Sequence, residues 1–281
     1  MKKEKKKMIW IKILTILLLF LLVILYAIFI GTKGLNIKEY KIINQSLPTS
    51  YYGLKIVHFS DLHYGRTVKE KELINLINKI NLTKPDVVVF TGDLVDKDCV
   101  LTEEVKSQLE NNLKNIKSTY GNYYIKGNHD TYFNSYELIM NNSNFINLNN
   151  NYDIITNMNK DKIFIGGAFT YNDKEPEIDI VTDHLKDNEY DYKILIMHMP
   201  DSVSYLKNEY NLILAGHSHN GQVRLPLIGA LIKADGAKKY YKEYYKINNT
   251  DLYISSGLGT SNINIRLFNK PSFNLYRIVN K

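Results

Sequence analysis

Cysteine and proline are scarce in this sequence, and their scarcity excludes several classes of protein. The 281 residues include one cysteine, Cys99, and six prolines. One cysteine cannot close an intramolecular disulfide or supply the cysteine pairs of a structural zinc site. Six prolines are too few for a collagen-like or proline-rich fibre. The residues after position 30 are rich in apolar and aromatic side chains, so they predict a folded core rather than a disordered chain.

Excess positive charge is also scarce once the first residues are set aside. The formal net charge is +7, but residues 1–12 contain six lysines and one glutamate and carry +5 of it. The other 269 residues contain 30 basic and 28 acidic side chains. Because a nucleic-acid-binding domain normally presents a basic face, we predict no nucleic-acid scaffold role. The sequence also indicates no obligate protein partner.

The N-terminal residues have the length and composition of a membrane-spanning helix. Residues 13–30 contain no charged side chain, and 18 helical residues span roughly 27 Å, close to the thickness of a hydrocarbon core. Lys12 lies near the start of this run, where its side chain can extend to the head groups. We therefore predict one transmembrane helix and contact with the lipid bilayer through residues 8–30.

The lysines before the span predict its orientation. Cytoplasmic flanks are enriched in lysine and arginine, so we expect residues 1–7 in the cytoplasm and the rest of a single-pass membrane protein outside it. The alternative is a cleaved signal peptide, but residues 27–31 lack the A-x-A pattern of a cleavage site. The predicted domains are residues 1–34, with tail, anchor and linker, and residues 35–281, which fold as one catalytic unit.

Short apolar strands alternate with helical patterns after the anchor. Leu54–Phe59 and Val87–Phe90 are typical of strands, whereas residues 68–80 have apolar side chains at helical spacing. Two further helices are predicted, at residues 102–117 and 132–141. This alternation predicts an α/β layered domain.

The apolar run at residues 225–232 has two interpretations. It consists of Leu-Pro-Leu-Ile-Gly-Ala-Leu-Ile. Beside Gln222 it forms either a lip that faces acyl chains or membrane, or a buried pair of strands. We favour the buried pair.

Five predicted strands are followed directly by side chains that bind metals. The five segments are D-x-H at residues 61–63, G-D-x-x-D at 92–96, G-N-H-D at 127–130, H-x-P-D at 198–201 and G-H-x-H at 216–219. Each segment alone also fits a turn or a helix cap. Together they contain five of the seven histidines, and strand ends are where α/β folds gather reactive side chains. The combination therefore indicates one functional site.

The chemistry of these side chains favours divalent metal ions. Carboxylate, amide and imidazole donors suit Mn²⁺, Fe²⁺ and Zn²⁺. There are too many donors for a single tetrahedral zinc with an open position. The number suits two ions that share a bridging carboxylate, and Asp93 is our choice for the bridge.

The order of the five segments resembles the calcineurin-like metallophosphoesterases. The resemblance covers roughly residues 51–281. The anchor, residues 216–222 and residues 256–261 followed by Ile265 and Arg266 are similar to a bacterial branch of that family. This branch includes anchored or exported phosphoesterases and UDP-2,3-diacylglucosamine pyrophosphatases. The family fold, two mixed β-sheets packed as a sandwich with helices outside, agrees with the α/β pattern.

The resemblance also implies a role for each residue of the site. One ion would be held by Asp61, His63, Asp93 and His219, and the second by Asp93, Asn128, His198 and His217. His129 would be the catalytic acid that faces the leaving-group oxygen. Asp96 and Asp130 would orient imidazoles or the surrounding loop.

The implied activity is metal-dependent hydrolysis of a phosphodiester or pyrophosphate bond by an extracytoplasmic domain. Its substrate would be a phosphorylated small molecule or lipid, and a wall polymer, a phospholipid and a nucleotide diester are open alternatives. A phosphomonoesterase or protein phosphatase would use the same chemistry. A non-catalytic, membrane-anchored binding module would be expected to lack metal ligands or the acid, whereas this sequence contains both.

Overall fold

The computed structural model describes residues 2–171 and 175–281. Within these residues the chain forms five α-helices: α1 (Lys2–Phe29), α2 (Glu70–Thr83), α3 (Glu103–Leu113), α4 (Tyr136–Asn142) and α5 (Asp179–Asp187). The strands of the same residues are β1 (Asn36–Ile43), β2 (Leu54–Phe59), β3 (Val87–Phe90), β4 (Gly121–Tyr124), β5 (Phe145–Asn147), β6 (Asn151–Thr156), β7 (Lys162–Ala168), β8 (Tyr192–Met197), β9 (Leu212–Ala215), β10 (Arg224–Leu225), β11 (Gly229–Ala230), β12 (Tyr244–Ile247), β13 (Thr250–Ile254) and β14 (Ser272–Val279).

Two six-stranded mixed sheets form the centre of the domain. The first sheet has the order β1-β14-β2-β3-β4-β5, and the second has the order β12-β13-β9-β8-β7-β6. Strands β2 to β5 are parallel, as are β7, β8, β9 and β13. Antiparallel pairing occurs between β14 and β2 and at both edges of the second sheet. The predicted sandwich of two mixed sheets with helices outside is confirmed.

Alternating side chains of the strands supply the core between the sheets and the cores beneath the helices. In β3, Val87 and Val89 face the second sheet, whereas Val88 and Phe90 pack under α2 and α3. Opposite faces follow from the two-residue repeat of a strand. Both faces are covered, which explains why β3 is a continuous apolar run.

The helix boundaries differ from the sequence prediction by a few residues. Helix α2 starts two residues later than predicted and continues to Thr83, where Lys84 takes a left-handed conformation that ends it. Helix α3 ends at Leu113, earlier than predicted. The predicted helix at residues 132–141 begins at Tyr136, after a short 3₁₀ turn. Strands β5, β6 and β12 and helix α5 were not predicted.

Helix α1 carries the apolar N-terminal run and contacts the domain at its C-terminal end. Its 28 residues extend over roughly 42 Å, and most of its side chains are exposed. Ala27, Gly31 and Thr32 are buried. The backbone N–H of Arg266 donates a hydrogen bond to the Ala27 carbonyl oxygen at 3.0 Å. A methyl group added at Gly31 would overlap the Arg266 carbonyl oxygen, so the helix end and the residue-266 loop are in direct contact.

Residues 225–232 form a strand pair, but the prediction that this pair is buried is wrong. Strands β10 and β11 pair antiparallel through Arg224 and Ala230. Leu227, Ile228 and Ile232 project from this hairpin with most of their surface exposed. The hairpin lies outside both sheets, so neither sheet covers its apolar side chains.

Candidate metal centre

All seven side chains predicted to bind metal lie at the edge of the sandwich where the central parallel strands end. Asp61 and His63 follow β2, Asp93 follows β3 and Asn128 follows β4. In the second sheet, His198 follows β8, and His217 and His219 follow β9. Parallel neighbours end at the same edge of a sheet, and this topology brings the side chains together.

Three of these residues form a cluster that the protein encloses, here called the enclosed cluster: Asp61, His63 and His219. The Nε2 atoms of His63 and His219 are 3.2 Å apart, and His219 Nε2 is 3.5 Å from Asp61 Oδ1. All three side chains are buried. Their donor atoms therefore face one small volume that has the dimensions of a metal site.

Three others form a second group, here called the open cluster: Asn128, His198 and His217. His198 Nε2 lies 3.1 Å from Asn128 Oδ1 and 3.2 Å from His217 Nδ1. Asn128 and His217 are only partly buried. This cluster therefore has a side that solvent reaches.

Asp93 lies between the two clusters. Its Oδ2 atom is 3.6 Å from His63 Nε2 in the enclosed cluster and 3.4 Å from His198 Nε2 in the open cluster. Its other oxygen, Oδ1, accepts a hydrogen bond from the backbone N–H of His129 at 2.8 Å. One carboxylate oxygen is thus fixed by the backbone and the other is shared by both clusters.

Five of these residues have left-handed backbone conformations. They are Asp61, His63, Asp93, His217 and His219, with φ between 44° and 64°. A non-glycine residue in this region costs roughly 1–2 kcal/mol. Such strain concentrates at functional sites, where the surrounding fold holds it. Here it occurs at the turns that aim the donor atoms inward.

Glycine lets two of the site loops approach closely. Gly92 has φ of 91°, and a methyl group added there would overlap the backbone nitrogen of Gly127 and approach His198 Nδ1. Gly127 in turn packs against the Asp93 carboxylate. The glycines of the G-D and G-N-H-D segments therefore keep the ends of β3 and β4 close enough to share Asp93.

Asp130 holds these loops together. It is fully buried, and its carboxylate accepts hydrogen bonds from the backbone N–H groups of Asp93, Leu94 and Gly127, each at 2.8 Å. Burial, with the charge of Asp93, raises the pKa of the Asp130 carboxyl to about 7. Asp130 therefore joins the loop after β3 to the loop after β4.

Asp96 lies beside an imidazole of the enclosed cluster. Its Oδ2 is 3.6 Å from His63 Nδ1 and accepts a hydrogen bond from Arg66 Nε at 2.8 Å. Burial alone would raise the pKa of Asp96, but the bond from Arg66 lowers it below its usual value. The carboxylate is therefore already paired, and it can orient His63 without serving as a ligand.

Backbone carbonyls fix the orientation of both imidazoles in the open cluster. His198 Nδ1 lies 2.6 Å from the Thr91 carbonyl oxygen, and His217 Nε2 lies 2.6 Å from the Asp235 carbonyl oxygen. A ring nitrogen that faces a carbonyl must carry a proton. The second nitrogen of each ring points into the cluster, and once it has lost its proton it would offer a lone pair to a metal ion, which is the usual arrangement around a protein-bound metal.

The pKa values at the site are shifted because two carboxylates, Asp61 and Asp93, are buried close to one another. Burial, with the charge of Asp93, raises the pKa of the Asp61 carboxyl to about 7. Burial would lower the pKa of His198, yet the Asp93 carboxylate raises it to about 9, and His198 in turn lowers the pKa of Asp93 against the effect of burial. Buried carboxylates are stable when a cation compensates them. Divalent ions bound by these oxygen and imidazole donors would supply that charge, so the residues fit the implied metals.

Arg266 also lies at the site, although no motif in the sequence indicated a role for it there. Its guanidinium is fully buried and donates hydrogen bonds to the carbonyl oxygens of Ser256 and Gly259. Its Nη2 atom lies 3.3 Å from His219 Nδ1. Burial lowers the pKa of Arg266 to about 10, so it stays positively charged near neutral pH. Burial, together with the charges of His63 and Arg266, lowers the pKa of His219 well below its usual value and favours the neutral ring that a metal requires.

A cleft of about 370 Å³ opens beside the open cluster, and Asp93 and, from the enclosed cluster, His219 also form part of its lining. His129 lies on its wall with its ring edge-on to His63, at 4.6 Å between ring centroids. Among the described residues, His129 Nδ1 has no hydrogen-bond partner. Lys97 and Tyr132 also line the cleft; no motif in the sequence marked either of them.

Comparison with known proteins points to one family. The profile of the calcineurin-like phosphoesterases matches residues 54–221, a range that contains all seven predicted ligands and His129. Uncharacterized metallophosphoesterase YkuE of Bacillus subtilis is 29% identical over 259 residues, which are 90% of this chain and 88% of that protein.

Two other relatives are longer than this chain. An uncharacterized metallophosphoesterase of Helicobacter pylori is 32% identical over 78% of this chain and 58% of its own length. A zebrafish (Danio rerio) protein named transmembrane protein with metallophosphoesterase domain is 27% identical over 86% of this chain and 57% of its own length. The chain thus spans a little over half of these two relatives. That name and the apolar helix α1 suggest a membrane anchor.

Proposed function

Since the chain belongs to the calcineurin-like phosphoesterase family, we propose that it is a membrane-anchored hydrolase of phosphodiester or pyrophosphate bonds that uses two divalent metal ions. Membership by itself suggests metal-dependent hydrolysis of phosphoesters. The proposal adds the number of ions, the class of bond and the location. The ions are Mn²⁺, Fe²⁺ or Zn²⁺, the metals that suit imidazole and carboxylate donors. The similarity to the UDP-2,3-diacylglucosamine pyrophosphatase branch stays a prediction.

The position of Asp93 supports the two-ion proposal. Its Oδ2 atom is almost equally far from His63 in the enclosed cluster and His198 in the open cluster. A carboxylate so placed can bind an ion on each side. The other ligands of the first ion would be Asp61, His63 and His219. The other ligands of the second ion would be Asn128, His198 and His217.

The proposed reaction divides the work between the ions and the protein. Two such ions would supply Lewis acidity, lower the pKa of a water molecule and neutralise charge that develops on the phosphoryl group. His129 would hold a proton and give it to the leaving-group oxygen. Its backbone N–H is fixed on Asp93, so its ring is held at the cleft beside both clusters. Lys97, at the same cleft, would attract an anionic substrate.

The N-terminal helix supports the proposed location. Helix α1 is long and apolar enough to cross a bilayer, and the lysines before it predict an extracytoplasmic catalytic domain. Tethering would keep the cleft near the membrane surface. We therefore propose a phosphorylated substrate of the cell envelope, with a lipid-linked phosphoester as the main candidate.

The decisive experiment is an assay of the full chain in detergent after its metals have been removed. Bis-p-nitrophenyl phosphate and p-nitrophenyl phosphate are offered side by side, with and without Mn²⁺. We expect Mn²⁺-dependent hydrolysis of the diester. Asp93→Ala should lower it by at least roughly 10³-fold, because both ions lose a ligand and several kcal/mol of charge stabilisation are lost.

Asp183→Ala is the matched control, because Asp183 lies on the exposed surface of α5 and pairs with Lys186. This variant should keep full activity. Hydrolysis of the monoester alone would favour the phosphatase alternative. Full activity and full metal content in Asp93→Ala would exclude Asp93 as the bridge, and no bound metal with no activity would favour the non-catalytic module.

A further inference from the structure

The domain exposes an apolar surface next to the cleft. Its members, here called the apolar rim, are Leu227, Ile228, Leu231, Ile232, Ile263 and Phe268, and each is more than half exposed. Leu227, Ile228 and Phe268 lie around one surface depression, whereas Ile232 and Ile263 line the mouth of the cleft. A contiguous apolar surface of this kind marks a contact with a membrane or another molecule.

Backbone hydrogen bonds join the two parts of the apolar rim. Arg224 donates to the Leu267 carbonyl oxygen at 3.0 Å, and Leu231 donates to the Val223 carbonyl oxygen at 3.1 Å. The β10–β11 hairpin therefore lies directly beside the residue that precedes Phe268. On the other side, Gln222 Nε2 donates to the Ile263 carbonyl oxygen at 2.9 Å, so Ile263 belongs to the same surface.

The end of the membrane helix lies at this surface. Ala27, which is inside the uncharged run of residues 13–30, accepts the hydrogen bond from Arg266. Phe268 is two residues after Arg266 in the chain, so the Cα atoms of these two residues are at most about 7.6 Å apart. If α1 crosses the bilayer, the contact at Ala27 brings the loop of Phe268 to the level where apolar chains meet head groups. No free linker separates the anchor from this loop.

The composition of the residues around the apolar rim also suits a membrane interface. Residues 223–245 contain five basic side chains (Arg224, Lys233, Lys238, Lys239 and Lys242) and two acidic ones (Asp235 and Glu243). Four tyrosines occupy positions 240, 241, 244 and 245. Tyrosine is enriched at membrane interfaces, and basic side chains are attracted to anionic lipid. Tyr241 and Lys242 lie in the same depression as Leu227 and Phe268.

We infer that the apolar rim is a second membrane contact, inserted into the leaflet from which α1 emerges, and that it turns the mouth of the cleft toward lipid head groups. This inference rests on the anchor and the activity proposed above, and it narrows the substrate to phosphoesters whose apolar part stays in that leaflet. Ile232 and Ile263 would lie between the acyl chains and the cleft.

The test measures the depth of single probes in the full chain, reconstituted into nanodiscs of phosphatidylcholine and phosphatidylglycerol in equal parts. In a Cys99→Ser background, Leu227→Cys and Phe268→Cys each carry a fluorophore that responds to polarity. Met158→Cys is the matched control, since Met158 is fully exposed and lies before β7, at the edge of the sheet opposite to the site. We expect a blue shift and quenching by nitroxide-labelled lipid at residues 227 and 268, and neither at 158.

Equal quenching at all three positions would overturn the inference. A blue shift without quenching by the lipid nitroxide would mean that a second copy of the chain covers the surface, and would also overturn it. These readings need no catalysis, so they stand even if the proposed activity fails.

A second measurement tests the consequence for the substrate. Leu227→Asp should lower the rate on phosphatidylglycerol in the nanodisc, relative to the rate on soluble bis-p-nitrophenyl phosphate, by about tenfold, since one aliphatic side chain no longer inserts. Met158→Asp is the control and should leave this ratio as it is. An unchanged ratio in Leu227→Asp, with the probe at 227 quenched, would refute the role in substrate access. If the unmodified chain hydrolyses neither substrate, that result would instead refute the proposed function.

Discussion

The enclosed and open clusters share Asp93 but differ in their surroundings. Asp61, His63 and His219 are buried, and the cationic Arg266 lies behind His219. Asn128 and His217 are partly exposed, and the cleft opens beside them. If each cluster binds one of the two proposed ions, the difference favours a division of roles: the ion of the enclosed cluster would be held tightly, and the ion of the open cluster would be accessible to substrate and solvent. Substitutions in the two clusters should therefore affect different ions.

Removing one imidazole from each cluster should separate the two ions. His63→Ala and His217→Ala are well matched, because both positions have left-handed backbone and alanine is strained at both. Each variant should bind one metal ion per chain and lose roughly 10³-fold in activity, because the charge stabilisation from one ion disappears. Metal analysis after gel filtration gives the content. Loss of both ions in either variant would show that the clusters bind as one unit.

His129 should affect turnover without affecting either cluster. His129→Asn keeps the backbone N–H that donates to Asp93 but removes the acid, so we expect kcat to fall by roughly 10²–10⁴-fold with both ions retained. His184→Asn is the control, since His184 stacks on Tyr152 away from the site. A substrate with a better leaving group should recover part of the loss in His129→Asn. Loss of metal in this variant would contradict the assignment.

Arg266 should matter to the enclosed cluster alone. Arg266→Lys keeps the positive charge but cannot donate to both the Ser256 and Gly259 carbonyl oxygens while facing His219. We expect the affinity for one of the two ions to fall by about 10–100-fold, measured by competition with a metal indicator, while the other stays constant. Arg277→Lys, at an exposed position of β14, is the control. A weaker affinity for both ions would mean that Arg266 stabilises the whole domain instead.

The smallest expected effect is a difference between the rates at which the two ions are released. Its measurement begins with the unmodified chain. A chelator added to the metal-loaded chain should remove the two ions at different rates, with the open cluster first, because solvent reaches Asn128 and His217. Stopped-flow release should therefore show two phases. The fast phase should be missing in His217→Ala and present in His63→Ala. A single phase in the unmodified chain would argue against the division of roles.

The sequence predicted much of the fold and the location of the site because those features follow from local patterns. Apolar strands such as Val87–Phe90 are short, continuous and followed by a polar segment. Parallel strands then bring Asp61, Asp93 and Asn128 to one edge without further information. The assignment of each residue to an ion is a prediction that the observed clustering supports and that metal analysis must test.

Two features could not be predicted because they depend on distant contacts. Arg266 lies 47 positions from His219 in the chain, and only the fold brings its guanidinium beside that ring. The run at residues 225–232 has the composition of a core strand pair, yet its hairpin lies outside both sheets. An apolar run predicts that its side chains are removed from water. It does not indicate whether protein or lipid surrounds them. Strand β6 was missed because its residues are only half-buried and polar side chains interrupt them.

If α1 crosses a bilayer, the hydrogen bond between Ala27 and Arg266 would connect that bilayer to the candidate metal centre. A transmembrane helix tilts when the hydrocarbon thickness changes, in order to match its apolar length. Here the end of the helix contacts the same residue whose guanidinium faces His219, so a change in tilt would reach a candidate metal ligand through one side chain. On the proposed anchoring, lipids of different acyl-chain length would change the activity, and a rate measured in one membrane would differ from the rate in another.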